Sequence, residues 1–218
     1  MKKSRTHITM VLDRSGSMES IRDDVVGGVN HFLRQQAKRI PDATFTLVQF
    51  DTEDPFEVLV RFTPVARVAP IDREAFQPRG GTPLLDAIGQ AIDNLDSWLL
   101  EAPAAQRPDK IVVVVVTDGQ ENSSRAYSHA EITDMMEDKK EAGWQFVFLS
   151  SDLRAVANAR LNGFNPSATM HYRPTHDGIV HMFRSTADRV CAFAAAEAPS
   201  VTFTEEDRSK QASPTAKP

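Results

Sequence analysis

The stretch KIVVVVV at residues 110–116 limits what this chain can become more than any other. β-Branched side chains are stiff at χ1 and favour pleated strands. A strand with no polar alternation needs both of its faces covered, which places this one in the middle of a sheet lying between two layers of helix. The rest of the chain supplies those layers. Short apolar runs (HITMVL, ATFTLVQF, WQFVFLS) alternate with longer stretches of helical period, the pattern of a doubly wound α/β domain. Met18, Ile21, Val25, Val26, Val29, Phe32 and Leu33 recur three or four apart and predict a helix that stops before Pro41; Gly27 and Gly28 within it imply close packing. Leu84, Ile88, Ala91, Ile92, Leu95 and Leu99 mark a second helix from Pro83 to Leu100. Ser128 and Glu131 form a capping box that opens a third, with Gly143 as its stop. In FEVLVRF, the residues Phe56, Val58, Val60 and Phe62 share one face while Glu57 and Arg61 take the other, so this segment is an antiparallel strand at a sheet edge.

The expected architecture is therefore a mostly parallel, Rossmann-like central sheet with helices on both faces and one antiparallel edge strand. We expect one domain over residues 1–198. A helix over RAVANARL, a strand over ATMHYR and a closing helix from Thr175 to about Ala198 complete it, and a polar, disordered tail over 199–218 follows.

Bulk charge narrows the function classes. The chain of 218 residues has 25 Lys and Arg against 30 Asp and Glu, a net charge of −5, with no basic cluster, so a nucleic-acid surface is not expected. The cationic start is followed by an apolar run that breaks at Asp13, too short for a signal-peptide core. No apolar run approaches the roughly 20 residues of a membrane span. The single cysteine, Cys191, excludes an internal disulfide framework and fits a small buried residue in a reducing compartment, so the expected location is cytoplasmic.

Polar chemistry concentrates where the strands end. In an open parallel sheet, ligands sit beyond the carboxyl ends of the strands at the point where their order reverses. DRSGS follows the first strand and TDGQENSS follows the valine strand; RGGTPLLDAI lies between them in sequence. If these loops meet, Asp13, Ser15, Ser17, Thr82 and Asp118 contribute two carboxylates and three hydroxyls. An all-oxygen set suits a hard divalent ion, Mg2+ first, then Mn2+ or Ca2+, and not zinc. Alternation explains DRSGS, since residues i, i+2 and i+4 of an extended segment point the same way. Local roles compete for the same residues: Asp13 suits an Asx-turn, Ser15 or Ser17 a helix N-cap, and Thr82 with Pro83 a cap and first-turn pair.

DRSGS, the threonine of GGT and TDG after an apolar strand resemble, in order and rough spacing, the metal-ion-dependent adhesion site of the von Willebrand factor A (vWA) family. The resemblance covers residues 8–149, and is strongest to short, stand-alone cytosolic bacterial members, including those associated with tellurium resistance and stress. It implies a doubly wound fold with Mg2+ at the top of the sheet. Ser15, Ser17 and Thr82 would touch the ion directly, and Asp13 and Asp118 directly or through water. It implies, too, a non-enzymatic binding function in which a partner protein's Asp or Glu completes the coordination sphere. Arg14, Glu19, Arg79, Gly81, Glu121 and Asn122 are the expected partner-binding rim.

Two other readings stand beside this one. A metal-dependent hydrolase or phosphoryl-transfer enzyme would need a general base, for which His129 or Glu121 are the candidates; neither a phosphate-binding G-x-x-x-x-G-K-[ST] loop nor a G-x-S-x-G elbow is present. An adaptor would bind through the closing helix instead. His171, His176 and His181, five residues apart, suit neither one helix face nor one strand face, and Asp51, Glu53 and Asp54 read as a charged turn, solvated in preference to a second cation site.

Overall fold

The computed structural model describes residues 4–212. Six strands form one sheet: β1 (Thr6–Asp13), β2 (Thr44–Phe50), β3 (Glu57–Pro64), β4 (Lys110–Thr117), β5 (Gln145–Ser150) and β6 (Thr169–His171), in the order β3-β2-β1-β4-β5-β6. Only β3 runs antiparallel. The valine strand lies inside, between β1 and β5, and is buried from Ile111 onward, as its lack of alternation requires.

Each face of the sheet carries its own apolar layer. Ile8, Met10 and Leu12 join Val112, Val114 and Val116 on one side, under helices α1 (Arg22–Arg39) and α5 (His176–Ala194). Val11, Val113 and Val115 lie on the other, under α2 (Leu84–Glu101), α3 (His129–Glu141) and α4 (Leu153–Ala159). The helix that begins with Met18 in the sequence reading starts as a 3-10 turn, Gly16–Ile21, and becomes α-helical at Arg22. The Ser128–Glu131 capping box forms as expected, and Gly143 adopts φ 89° beyond the end of α3. Gly28 is where α1 meets α5: a Cβ there would lie 2.0 Å from the Phe183 ring. Cys191 is buried against Gln36, and burial pushes its thiol up to about 11.

Two expectations change. Alternation along β3 fails because the β2–β3 register shifts between Leu47 and Val48; Leu59 and Val60 both pack on the α1 side, and Phe56 and Phe62 on the α2 side. Phe62 has φ 43° and its N–H donates to Thr46 Oγ1 at 3.1 Å. Its ring stacks 3.9 Å from Trp98 and 4.5 Å from buried His7.

The second correction concerns the expected tail. Residues 199–212 pack onto the domain: Val201 and Phe203 are buried in the α1–α5 layer, and Thr204 caps a short helix, α6 (Glu205–Ser209). Arg189 holds buried Asp207 at 2.8 Å, and Gln211 Nε2 donates to the Gly178 carbonyl at 2.9 Å. Apolar burial outweighs the polar composition that suggested disorder. The remainder of that expected tail, 213–218, lies outside the described residues, as does the cationic start at 1–3. No helix among the described residues is long and apolar enough to cross a membrane.

Candidate metal centre

β1 has β2 on one side and β4 on the other, so the chain departs in opposite directions from these neighbours and a crevice opens above them. Three loops fill it. The first follows β1. Ser15 N–H donates to Asp13 Oδ1 at 2.7 Å, closing an Asx-type turn that carries the backbone away from the sheet. Ser15 occupies the N-cap position of the 3-10 turn, yet its hydroxyl makes no capping bond and sits 3.1 Å from Ser17 Oγ.

The second loop is bonded to the first through its backbone: Arg79 N–H donates to the Arg14 carbonyl at 2.9 Å and Gly16 N–H to the Gly80 carbonyl at 3.1 Å. Gly80 has φ 63°, and a Cβ there would lie 2.4 Å from Thr52 Oγ1, so both conformation and space call for glycine. Thr82 comes next and is buried. Helix α2 begins at Leu84 with Pro83 at its N-cap and no side-chain cap, so the Thr82 hydroxyl is not spent on the helix.

The third loop follows β4 and joins both others. Thr117 Oγ1 donates to Asp13 Oδ2 at 2.5 Å, and Ser17 Oγ donates to Asp118 Oδ1 at 2.7 Å. Thr82 N–H donates to Asn122 Oδ1 at 2.8 Å, while Asn122 N–H donates to the Thr82 carbonyl at 3.2 Å. A Cβ on Gly119 would lie 3.8 Å from Thr82 Oγ1. The structure thus brings Asp13, Ser15, Ser17, Thr82 and Asp118 to one spot.

Electrostatics at that spot favour an added positive charge. Burial pushes the Asp13 carboxyl up to about 7; hydrogen bonds from Thr117 and Ser15 oppose the shift, and the nearby Asp118 charge adds to it. Burial also raises Asp118, against the Ser17 hydrogen bond and with help from the Asp152 charge. Two desolvated carboxylates among hydroxyls fit a hard divalent ion, which would relieve both the desolvation and the mutual repulsion. Among the described residues there is no group of three or more His, Cys, Asp or Glu side chains that could hold a metal. The histidines of the sequence reading are apart: His171 bonds the Ser151 carbonyl, and His176 bonds Asp24 on α1.

The expected rim divides. Glu19 and Arg79 are exposed; Glu19 lies 3.6 Å from Arg22 and 3.8 Å from Arg73, and Arg79 reaches Asp51. Asn122 is exposed but spends its amide oxygen on Thr82. Gly81 is packed so closely on the third loop that a Cβ would meet Ser123 Oγ at 2.7 Å. Arg14 is not on the rim. It is 4% exposed and directs its guanidinium to Asp51 and Glu57. Nor is Glu121 a free carboxylate: its oxygens accept from the N–H groups of Leu85, Ser123 and Ser124 and from the Ser124 hydroxyl, capping α2 from outside. His129 bonds Asn162 through Nδ1, a partner that lies outside the three loops. The Asp51 turn is solvated only in part: Glu53 is exposed, whereas Asp51 is fully buried.

Several contributors were not picked out from sequence. Thr117 orients Asp13, and the buried Tyr172 hydroxyl bonds the Thr117 carbonyl at 3.1 Å. Asp152, the N-cap of α4, accepts from Gln120 at 3.1 Å and adds negative charge beside Asp118. The hydroxyl of Thr117 beside Asp118 was the one available signal, whereas Asp152 reaches the site only through the β4–β5 pairing and Tyr172 through β5–β6.

No family model and no curated protein sequence matches the chain. Solved structures do. The pilus adhesin SpaC of Lactobacillus rhamnosus GG matches over 88% of this chain and 30% of its own length, with 14% identity and TM-score 0.67. The vWF domain of the pilus tip protein Mfa5 of Porphyromonas gingivalis matches over 94% of this chain and 99% of its own, with 10% identity and TM-score 0.64. Proximal thread matrix protein 1 of the mussel byssus, described with a zinc-occupied MIDAS motif, matches over 87% of this chain and 46% of its own, with 16% identity and TM-score 0.59. The chain thus spans less than half of the adhesin and of the mussel protein, and at these identities the likeness is one of fold.

Proposed function

We propose that this chain, whose fold is that of a von Willebrand factor A domain, is a divalent-metal-dependent protein-binding module. Ser15, Ser17 and Thr82 would ligate the ion through their hydroxyls and Asp13 and Asp118 directly or through water. Mg2+ is the expected ion, with Mn2+ or Ca2+ as substitutes. A bound divalent ion would supply a strong, directional acceptor for a carboxylate of a partner protein. The chain's own groups do the rest: Thr117 and Ser15 N–H fix the Asp13 carboxylate, Asn122 holds Thr82 in place, and Ser17 with Asp118 forms the exposed side on which an Asp or Glu would dock. Glu19 and Arg79 border that side and would weigh on partner choice.

The observation that carries this reading is the convergence of hydroxyl-bearing side chains from three loops on two carboxylates, with neither Ser15 nor Thr82 used as a helix cap. An enzymatic reading lacks a comparable observation: the Glu121 oxygens accept from α2 and the third loop, and His129 bonds Asn162 outside the three loops. A buried Cys191 suits work in a reducing, cytoplasmic setting.

Titration calorimetry with Mg2+, followed by affinity capture from native lysate with and without EDTA, tests the reading. Heat of binding and capture are expected for the native chain, and both should be lost in Asp118→Ala and Ser15→Ala with the circular dichroism unchanged. Capture that persists in EDTA, at native strength, would overturn it.

A further inference from the structure

Beneath the first two loops lies a cluster of charge that the ion-binding reading does not use. Asp51 stands just past the end of β2 and is fully buried. Its Oδ1 accepts from the N–H groups of Glu53 and Asp54 at 2.6 and 2.9 Å, which fixes the carboxylate to the β2–β3 turn. Its Oδ2 faces two guanidinium groups: Arg14 Nε and Nη2, each at 2.6 Å, and Arg79 Nε at 3.0 Å. Burial works against ionisation here, but the two N–H groups and the two arginines outweigh it and hold the carboxyl below its usual range. Arg14 continues to Glu57, which also accepts from Gln49 at 2.8 Å, and Arg79 lies 3.5 Å from Glu53.

The two arginines belong to different loops. Arg14 sits between Asp13 and Ser15, Arg79 three residues before Thr82, and the Arg79 N–H bonds the Arg14 carbonyl. One carboxylate therefore grips, by side chain, the same two segments whose backbones are already joined. Hydroxyl ligation tolerates little displacement, and the groups that hold ligands in place commonly matter nearly as much as the ligands. Two cations close to an ion site would also repel the ion unless they were neutralised, and Asp51, together with Glu57 at Arg14 and Glu53 at Arg79, does that.

We infer that Asp51, acting through Arg14 and Arg79, is a positioning residue for the ion site, setting the approach of Ser15 and Ser17 to Thr82. This rests on the metal-binding reading above. Asp51 holds no ligand itself; it registers one ligand-bearing loop against the other.

Binding of Mn2+, read from the electron paramagnetic resonance signal of the free ion well below the melting temperature, provides the test. Asp51→Asn keeps size and one acceptor but loses the charge, and should weaken Mn2+ binding ~10- to 100-fold. Arg79→Gln is the sharper variant. If only the electric field mattered, removing a cation near the site would tighten Mn2+ binding; positioning demands that it weaken. Asp207→Asn is the control, breaking a comparable buried pair with Arg189 at the far side of α5, and should lower thermal stability while leaving Mn2+ affinity alone. Should Asp51→Asn fail to fold, Arg79→Gln, whose side chain is 41% exposed, decides the matter. Tighter or unchanged binding in Arg79→Gln, or equal loss in Asp207→Asn, would overturn the inference and leave the metal-binding reading standing. No Mn2+ binding by the native chain would end both.

Discussion

Asp13 shows how a single side chain can set function against stability. Its carboxyl has a folded value of about 7 against 3.8 for an ordinary aspartate, with burial as the main cause. The folded chain therefore holds this proton more tightly than the unfolded chain does. The associated stability is present in full below pH 4 and is lost as pH rises through 7. Without divalent ions this contribution should thus be lost between pH 5 and 7.5, seen as the difference in stability between the native chain and Asp13→Asn, and saturating Mg2+ should restore stability by mass action. Asp13→Asn mimics the protonated form and can keep the Ser15 N–H bond. It should raise stability at pH 7.5 without metal by ~2 kcal/mol, by urea denaturation, while abolishing Mg2+ binding. A variant that is less stable than the native chain in the absence of metal would contradict this account. The same residue shows what sequence could and could not say. Alternation aimed Asp13, Ser15 and Ser17 at one point, and those residues do converge. Taken one step further, it would have sent Arg14 the opposite way, into the β2–β3 turn, instead of leaving it on the rim. Its partner Asp51 lies 37 residues along the chain, a pairing that no local pattern announces.

Among the elements, two contacts govern how the layers meet. His7 on β1 is sealed beneath Phe62 of β3 and Trp98 of α2, with its ring nitrogens 2.8 Å from Thr44 Oγ1 and 3.1 Å from Thr9 Oγ1. Burial lowers its folded value to about 3, from 6.5. Below pH 6.5 the unfolded chain takes up a proton that the folded chain refuses, so stability falls with acid by up to ~1.4 kcal/mol per pH unit down to pH 3. His7→Gln should be less stable at pH 7.5, through loss of the stack, and its deficit relative to the native chain should shrink on going to pH 5, read as the difference in urea midpoints. Between α1 and α5, Gly28 leaves room for the Phe183 ring and nothing more. Gly28→Ala should cost ~1–3 kcal/mol in urea unfolding despite alanine's better helix propensity. Helix existence was readable because apolar spacing is a local property; which layer each helix joins was not, since it follows from the order of the strands. Nor was the fate of β3, since its register shift arises from pairing with β2 and from the stack on Trp98.

For the whole molecule, the least legible region is the last. Polar composition after Pro199 suggested a free tail, but Val201 and Phe203 enter the α1–α5 layer and α6 docks through Arg189 and Asp207. Thr204 and Asp207 had the spacing of a capping box, a signal that went unread amid the surrounding charge. Phe203→Ala should lower unfolding free energy by ~3 kcal/mol, and removal of residues 199–212 by more, measured by chemical denaturation. A loss near zero for either would mean that the segment merely rests on the surface. The doubly wound layout itself was legible because a fully apolar central strand and alternating helical periods admit few other arrangements.

The register shift in β3 also bears on how these molecules behave when crowded. An outer strand with an even row of N–H and C=O groups invites the corresponding strand of another copy to lie along it. Here the row is interrupted at Phe62, whose N–H turns inward to Thr46, and the opposite margin, β6, is only three residues long. Neither border gives a neighbour a continuous template, so concentrated solutions should resist the edge-to-edge stacking that seeds fibrils.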